Sequence, residues 1–323
     1  MDVPNSTSDA PRFRTSINWL RAVLLASVIA ATLTFVARVT DLPDVFRAPD
    51  AWTYDWRTAH FSPRVAKPRA DIVIVLIDDE SLDGYASQSP VDRGLQAKLV
   101  TGLEAAGAKA VGLDFIYDRP GEPEADKALF SSLSAAKVPF ILGTLDGRSP
   151  RFTEKHRTHQ DGFLADVGKE GSHLYFAHKQ DRLTLGDQVV RYWLGPSQDA
   201  PHRKGLAHAL AEAAGHKPKQ QVFDAQLIDW QRPPELGDFA YPFRTLRVRA
   251  HEPGSLISDL FWPGWESLVR GKIVLVGGDF IDRDRHLTPF SVIDGASMPG
   301  VMVHAQILAQ ILDGREVVTL PAW

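Results

Sequence analysis

Three short apolar runs, each followed by acidic residues, most constrain how this 323-residue chain can fold. The runs are Asp71–Ile77, Ala110–Leu113 and Ile273–Val276. Each has the length of a strand and is almost wholly apolar, which is typical of strands buried on both faces. Such strands occur where helices cover both faces of a largely parallel sheet. We therefore predict an α/β fold with a mixed, largely parallel sheet flanked by helices in one large domain.

Helical periodicity predicts helices between and after these strands. Leu95–Ala106, followed by Gly107, forms a strand–helix–strand unit with the first two runs. Its crossover should be right-handed and its strands parallel. Residues 147–270 lack clear periodicity and are interpreted as an elaboration of the same domain. The further predicted elements are helices at Glu124–Lys137, Leu206–Gly215 and Val301–Leu312 and strands at Pro139–Leu145 and Leu246–Ala250.

The N-terminal region predicts a membrane anchor. Residues 1–16 are polar and predicted to be a disordered tail. Ala22–Ala37 contains sixteen residues without a charge, roughly 24 Å of helix against a bilayer core of about 30 Å. With its flanks it predicts a transmembrane helix at residues 17–38. A helix buried in a protein core and a cleaved signal peptide are the alternatives.

Residues 39–69 are predicted to form a juxtamembrane segment, and residues 70–323 the large domain. The segment is rich in aromatic residues, which suit a membrane interface. Packing of these side chains onto the following domain is the alternative. The aromatic residues are Trp52, Tyr54, Trp56 and Phe61.

Composition excludes several kinds of function. The chain has no cysteine, which removes thiol catalysis, cysteine–zinc sites and disulfides. Its net charge of -4 does not favour nucleic-acid binding. No phosphate-binding loop, zinc signature or nucleophile–base pair is recognisable. We therefore predict a protein that is not an enzyme and needs no cofactor or metal.

Acidic residues follow each of the three predicted strands. Asp78 and Asp79 follow the first, Asp114 the second and Asp284 lies beyond the third. If the strands are parallel neighbours, these acids share the sheet edge where α/β proteins bind ligands. Helix capping and hydrogen bonding to loop amides are the simpler interpretation. A metal-dependent hydrolase would require Asp78, Asp114 and Asp284 to converge on one ion.

Two further features lie near the third strand. Asp282, Asp284 and His286 alternate, so they would face the same way in an extended segment, although a solvated loop is the preferred interpretation. His304 lies early in an otherwise apolar helix. Its role is either structural or a contact to a ligand.

Several stretches, taken in order, resemble the second type of CHASE domain, the cyclase/histidine-kinase-associated sensory extracellular domain. The resemblance extends from about Asp41 to Trp323. One departure is that Ser89 and Val91 flank Pro90, where the family usually has aromatic residues. The resembling stretches are Tyr54–Arg57, Asp71–Leu82, Pro90–Arg93, Ala106–Tyr117, Gly271–Gly278, Asp284, Thr288–Pro289 and Met298–Leu308.

The resemblance implies a periplasmic sensor domain anchored in the bacterial cell membrane. It also implies an adenylate cyclase, histidine kinase or diguanylate cyclase output in a missing part or a partner chain. A homodimer is expected because such outputs work as dimers. The alternative is a membrane-anchored interaction or assembly domain that has no small ligand. For an unknown extracytoplasmic ligand, the candidate binding residues are Asp78, Asp79, Arg93, Asp114, Asp284 and His304.

Overall fold

The computed structural model of the chain contains nine helices and eleven strands in the residues that it describes. The described residues are 13–39, 48–85, 90–149, 152–173, 176–177, 189–196, 201–219, 225–235, 241–249, 260–280 and 284–317. The helices are α1 (Phe13–Val39), α2 (Ala48–Phe61), α3 (Arg93–Ala106), α4 (Pro123–Ala135), α5 (Glu154–Val167), α6 (Leu206–Ala213), α7 (Trp265–Val269), α8 (Ser291–Asp294) and α9 (Gly300–Asp313). The strands are β1 (Arg69–Ile77), β2 (Ala110–Leu113), β3 (Phe140–Thr144), β4 (Glu170–His173), β5 (Phe176–Ala177), β6 (Tyr192–Trp193), β7 (Gln226–Leu227), β8 (Phe243–Arg247), β9 (Ile273–Gly278), β10 (Arg285–His286) and β11 (Met298–Pro299).

The main sheet has six strands in the order β4-β3-β2-β9-β1-β8. Every described pair in it is parallel. The predicted mixed sheet is therefore parallel in these residues, and antiparallel pairing is confined to β5-β6-β7 and β10-β11. The strands of the predicted strand–helix–strand unit are not neighbours, because β9 lies between β1 and β2.

Alternate side chains of β1 enter two separate hydrophobic cores. Val73 and Val75 pack with α3, α4 and α7 on one face of the sheet. Ile72 and Ile74 pack with α6 and α9 on the other face. All four side chains are fully buried, as expected for a strand covered on both faces. The domain is thus a three-layer arrangement of helices, sheet and helices.

The structure also corrects parts of the predicted element list. Helix α5 and strand β4 lie in the region that showed no clear periodicity. The strand predicted at Leu246–Ala250 is β8, which starts three residues earlier at Phe243. Helix α3 begins after Asp92, whose carboxylate accepts a hydrogen bond from the Leu95 amide at 3.0 Å, and ends at Gly107, whose φ of 76° favours glycine.

Helix α1 contains the segment predicted to cross the membrane. Its described side chains, at residues 19–33 and 35–36, are exposed and do not contribute to the domain core. No helix in the described residues combines the length and apolarity needed to cross a membrane. Most of the predicted disordered tail, and residues 40–47 of the juxtamembrane segment, lie outside the described residues.

Helix α2 is fixed to the domain by a buried ion pair. Arg191 donates two hydrogen bonds to the Asp55 carboxylate, at 2.8 and 2.6 Å, and both side chains are about 95% buried. The Tyr54 hydroxyl donates to the carbonyl of Ile228 at 3.2 Å. The aromatic side chains of the predicted juxtamembrane segment thus have two different environments. Tyr54 faces the domain, while the others are exposed, namely Trp52, Trp56 and Phe61.

We expect Arg191→Ala to lower the free energy of unfolding by about 3–5 kcal/mol, because it leaves the Asp55 carboxylate buried without its cation. Burial already raises the pKa of Asp55, with Arg191 opposing part of that rise. Chemical denaturation of the full chain, followed by tryptophan fluorescence, measures the change. The double variant Asp55→Leu/Arg191→Met should lose less than Arg191→Ala alone. An equal or larger loss would contradict this account of α2 docking.

Candidate functional site

The carboxyl ends of three neighbouring strands bring acidic residues to one edge of the main sheet. Strands β2, β9 and β1 are adjacent and in register at these ends. Asp114, Asp279 and Asp78 follow them directly. This is the edge at which open α/β sheets bind ligands. The acids form two groups with different partners.

The first group is a buried acid–histidine cluster made of Asp114, Asp284, His286 and His304. His304 Nε2 lies 3.9 Å from Asp114 Oδ1, and His286 Nε2 lies 3.2 Å from Asp284 Oδ1. Asp114 and His304 are buried, with side chains 8% and 4% exposed, while Asp284 is 42% exposed. The cluster therefore extends from the interior of the domain to its surface.

Burial controls the protonation of the two inner members of this cluster. It raises the pKa of Asp114 well above its usual value, and the nearby charge of Asp284 adds to the rise. It lowers the pKa of His304 to about 3, with His286 adding to the fall. The Asp114 Oδ2 atom is buried and has no hydrogen-bond partner. An ionised Asp114 would therefore be poorly compensated in this environment.

A short hairpin places Asp284 and His286 against the start of α9. Strand β10 pairs antiparallel with β11, which leads directly into that helix. The Gly300 amide donates to the Asp284 carbonyl at 2.9 Å. A Cβ on Gly300 would lie 2.8 Å from Asp284 Oδ1, so a larger residue there would force the Asp284 side chain to shift. Asp284 has a φ of 53°, a left-handed conformation that costs free energy in a residue with a side chain.

The second group is an alternating chain of two carboxylates and two arginines at the edge. Arg247 bridges Asp78 and Asp279 with two contacts of 2.8 Å. Arg285 pairs with the other oxygen of Asp279. Arg285 also donates to the hydroxyl and carbonyl of Ser297, at 3.0 and 2.6 Å. These arginines neutralise the acids on that side of the edge.

Asp78 and Asp79, both candidates for binding, have different surroundings. The Ser81 amide and hydroxyl donate to the Asp78 carboxylate at 2.9 and 2.6 Å. Burial raises the pKa of Asp78, but these hydrogen bonds and Arg247 lower it more, so the net shift is downward. Asp79 is exposed and precedes a 3-10 turn, where its carbonyl accepts from the Leu82 amide at 3.2 Å. Neither residue belongs to the buried acid–histidine cluster.

Arg93 has a structural environment away from this cluster. Its guanidinium donates to Asp126 and to the Arg119 carbonyl, both at 2.5 Å. It also lies over the rings of Tyr117 and Phe163, at 5.7 and 5.6 Å from their centroids. These contacts are on the sheet face covered by α3, whereas α9 covers the opposite face. The structure thus does not bring Arg93 to Asp114, Asp284 and His304.

The acids do not converge as a metal-dependent hydrolase would require. In the part of the chain that the structure describes, no group of three histidine or acidic side chains is placed to hold a metal ion. Asp78 is engaged by Ser81 and Arg247, while Asp114 faces Asp284 and His304. Asp78 thus belongs to a different group at the edge from Asp114 and Asp284.

Described residues line two cavities near α9. The larger is a groove of about 440 Å³ lined in part by Trp193 and Arg315 beside the end of the helix. Arg315 forms an ion pair with Asp229. The smaller has about 10 Å³ and lies between His304 and α6. That space is close to the minimum for a single water molecule.

Sequence reasoning noted the alternation of Asp284 and His286 but preferred a solvated loop, whereas the two side chains contact each other. It missed Arg247 and Arg285 as members of the edge. Arg247 lies on β8, whose position next to β1 depends on long-range pairing. Nothing local in the sequence indicates that pairing.

The parallel sheet flanked by helices, with charged residues at its carboxyl edge, makes this an α/β domain. A family model, the CHASE2 domain, matches residues 25–323, so the chain belongs to the CHASE2 family. CHASE2 domains are sensory extracellular domains of signalling proteins and are not catalytic. The resemblance found in the sequence is thereby confirmed. No curated protein and no solved structure matches the chain.

We expect His304→Gln to make the stability of the chain less sensitive to acid. The folded pKa of His304, about 3, lies below its ordinary value of 6.5, so the wild type loses stability as pH falls from about 6.5 towards 3. The loss is at most about 1.4 kcal/mol per pH unit for one proton. Denaturant unfolding between pH 7.5 and 4.5 measures it.

The matched comparison is His208→Gln, because burial also lowers the pKa of His208. The double variant should lose more of the pH dependence than either single variant. A His304→Gln protein with the slope of the wild type would show that His304 does not enter the folded state neutral.

Proposed function

We propose that the chain is the membrane-anchored, periplasmic input domain of a bacterial signal-transduction protein. Its output would be an adenylate cyclase, histidine kinase or diguanylate cyclase elsewhere in the same or a partner chain, acting as a homodimer. The observation that carries the proposal is the convergence of Asp114, Asp284, His286 and His304 at the carboxyl edge of the sheet in a CHASE2 domain. This cluster is where we place recognition.

Helix α9 is the element suited to carry a change away from that cluster. Gln306 Oε1 accepts from the Gln231 amide at 3.1 Å, and its Nε2 donates to the Gln231 carbonyl at 2.8 Å. One turn later, Gln310 accepts from the Asp229 amide at 2.9 Å and donates to the Leu227 carbonyl at 3.1 Å. These two glutamines fix α9 to the extended segment 227–231.

The same segment contacts the N-terminal part of the chain. The Ile228 carbonyl accepts the Tyr54 hydroxyl of α2, and the end of α9 reaches β1 through Arg69 and Asp313 at 2.7 Å. Helix α2 follows α1, which contains the uncharged run and outward-facing apolar side chains that favour a membrane anchor. A continuous set of contacts thus joins His304 to α2.

Signalling needs two arrangements of this path that differ in affinity for the ligand. Binding that is equally tight in both arrangements shifts nothing. Side-chain hydrogen bonds contribute about 0.5–1.5 kcal/mol each, so the four made by Gln306 and Gln310 are few enough to exchange during a shift. A ligand that moves Asp284 or His304 would act on the first turn of α9.

The second candidate is a membrane-anchored interaction or assembly domain without a small ligand. Exposed apolar side chains on α2 and on the neighbouring α8 favour it. A partner protein that covers them would bury this surface and leave the cluster unused. The exposed residues are Trp52, Trp56, Phe61, Val292 and Ile293.

We expect Asp284→Ala, in the native protein with its output domain, to reduce the ratio of stimulated to basal output about fivefold or more. The substitution removes the outer carboxylate of the cluster, and coupling of 1–3 kcal/mol corresponds to about 5–150-fold. Output activity in native membranes, with and without the stimulating condition, gives the ratio.

Asp83→Ala is the matched control, since Asp83 is an exposed acid following the 3-10 turn after β1 and does not belong to the cluster. Its ratio should equal that of the wild type. An unchanged ratio in a folded Asp284→Ala protein would remove the cluster from the proposal. It would then favour the assembly role.

A further inference from the structure

The inner pair of the cluster, Asp114 and His304, is almost closed to solvent, with side chains 8% and 4% exposed. Away from Asp114, His304 and His208 of α6 line a cavity of about 10 Å³, close to the minimum for one water molecule. The outer members of the cluster, Asp284 and His286, are bonded to each other. No three of the described histidine and acidic residues are placed as ligands for a metal ion. A ligand of the inner pair must therefore be very small.

The inner pair is built around a carboxyl group that lacks partners for its charged form. Asp114 Oδ2 has no hydrogen-bond partner, and Oδ1 is 3.9 Å from His304 Nε2, beyond hydrogen-bonding distance. The neighbours of Asp114 come from three elements. Gly277 of β9 lies beside it and has no side chain, and His304 lies beside it on α9. Asp284, the residue before β10, is the nearby charged group.

We propose that the ligand of this cluster is the proton, and that exchange of a proton between Asp114 and the extracytoplasmic solvent is the input of the domain. The proposal rests on the sensory function proposed above and names the ligand of the same site. As external pH rises, the Asp114 carboxyl O–H bond breaks, its electron pair stays on the carboxylate, and the proton passes to solvent. No other reactant is required.

Proton loss would change the forces on α9. The neutral carboxyl is tolerated beside neutral His304, but a buried carboxylate attracts the imidazole and is repelled by Asp284. His304 faces Asp114, and the nearby His286 lowers the pKa of His304 further. A shift of His304 acts within the first turns of α9, because the helix begins at Gly300. From there, the contacts of Gln306 and Gln310 lead towards α2.

The electrostatic surroundings have the sign that proton binding requires. Burial and the charge of Asp284 both raise the pKa of Asp114. The folded chain therefore holds this proton at pH values where an exposed aspartic acid, with a pKa near 3.9, has lost it. Removing the charge of Asp284 removes one of the two causes.

Infrared difference spectroscopy of the full chain tests the proposal through the carbonyl stretch of a protonated carboxyl group. We expect a band that titrates at a pH above the range of ordinary aspartic acids, because burial and Asp284 raise the pKa of Asp114. Asp114→Asn, which resembles the neutral acid in shape, should lack it. Asp284→Asn should move its midpoint down by about one pH unit. Since Asp284 is partly exposed, this second variant keeps the test valid if Asp114→Asn fails to fold.

The matching functional measurement is output activity of the native protein against external pH. The wild type should change about fivefold or more across the infrared midpoint. Asp284→Asn should shift that midpoint in parallel. A missing band, or a midpoint that Asp284→Asn does not move, would overturn the proposal. A band that titrates while output activity stays independent of pH would also overturn it. The sensory function would then still be tested separately, by the ratio of stimulated to basal output in Asp284→Ala.

Discussion

The burial of α9 against the sheet is the interaction on which the rest of the structure depends. Every residue from Gly300 to Gln310 is buried, between β9 and β1 on one side and α6 and the segment 227–231 on the other. Each fully buried large apolar side chain contributes about 1.5–3 kcal/mol, so the helix is held mainly by its apolar residues. Its polar residues must then find partners inside the domain.

The polar residues of α9 have two different kinds of partner. The amides of Gln306 and Gln310 are satisfied by backbone groups of an extended segment, which fixes the position of the helix. His304 lies instead beside a carboxyl group with an unpaired oxygen. At the same sheet edge, arginines neutralise Asp78 and Asp279. The edge therefore has one half in which arginines pair with the acids and one half in which the Asp114 carboxyl group keeps an unpaired oxygen.

Local patterns in the sequence predicted the elements that local physics determines. The apolar runs became β1, β2 and β9, and Gly107 ends α3 as predicted. Helix α5 was not predicted, because its sequence is polar and few of its residues are buried. Strand order could not be read locally, since β9 inserts between β1 and β2 from about 160 residues later in the chain.

For the candidate residues, too, the sequence predicted positions but not long-range contacts. Asp114, Asp284 and His304 were named from strand ends and one polar position in an apolar helix, and the structure places them in one cluster. Their binding role stays a prediction. Arg93 was named from a resembling stretch, but its contacts with Asp126 and two aromatic rings are those of a structural arginine. Such pairing depends on side chains distant in sequence.

Amide hydrogen exchange of the full chain tests most directly whether α9 links the cluster to α2. Asp284→Ala should accelerate exchange in residues 225–231 and in α2, well beyond the substituted hairpin. In a Gln306→Leu/Gln310→Leu background, Asp284→Ala should no longer accelerate exchange in α2, because the hydrogen bonds between α9 and segment 227–231 are gone. Faster exchange confined to residues 284–304, with segment 225–231 and α2 as in the wild type, would contradict the account.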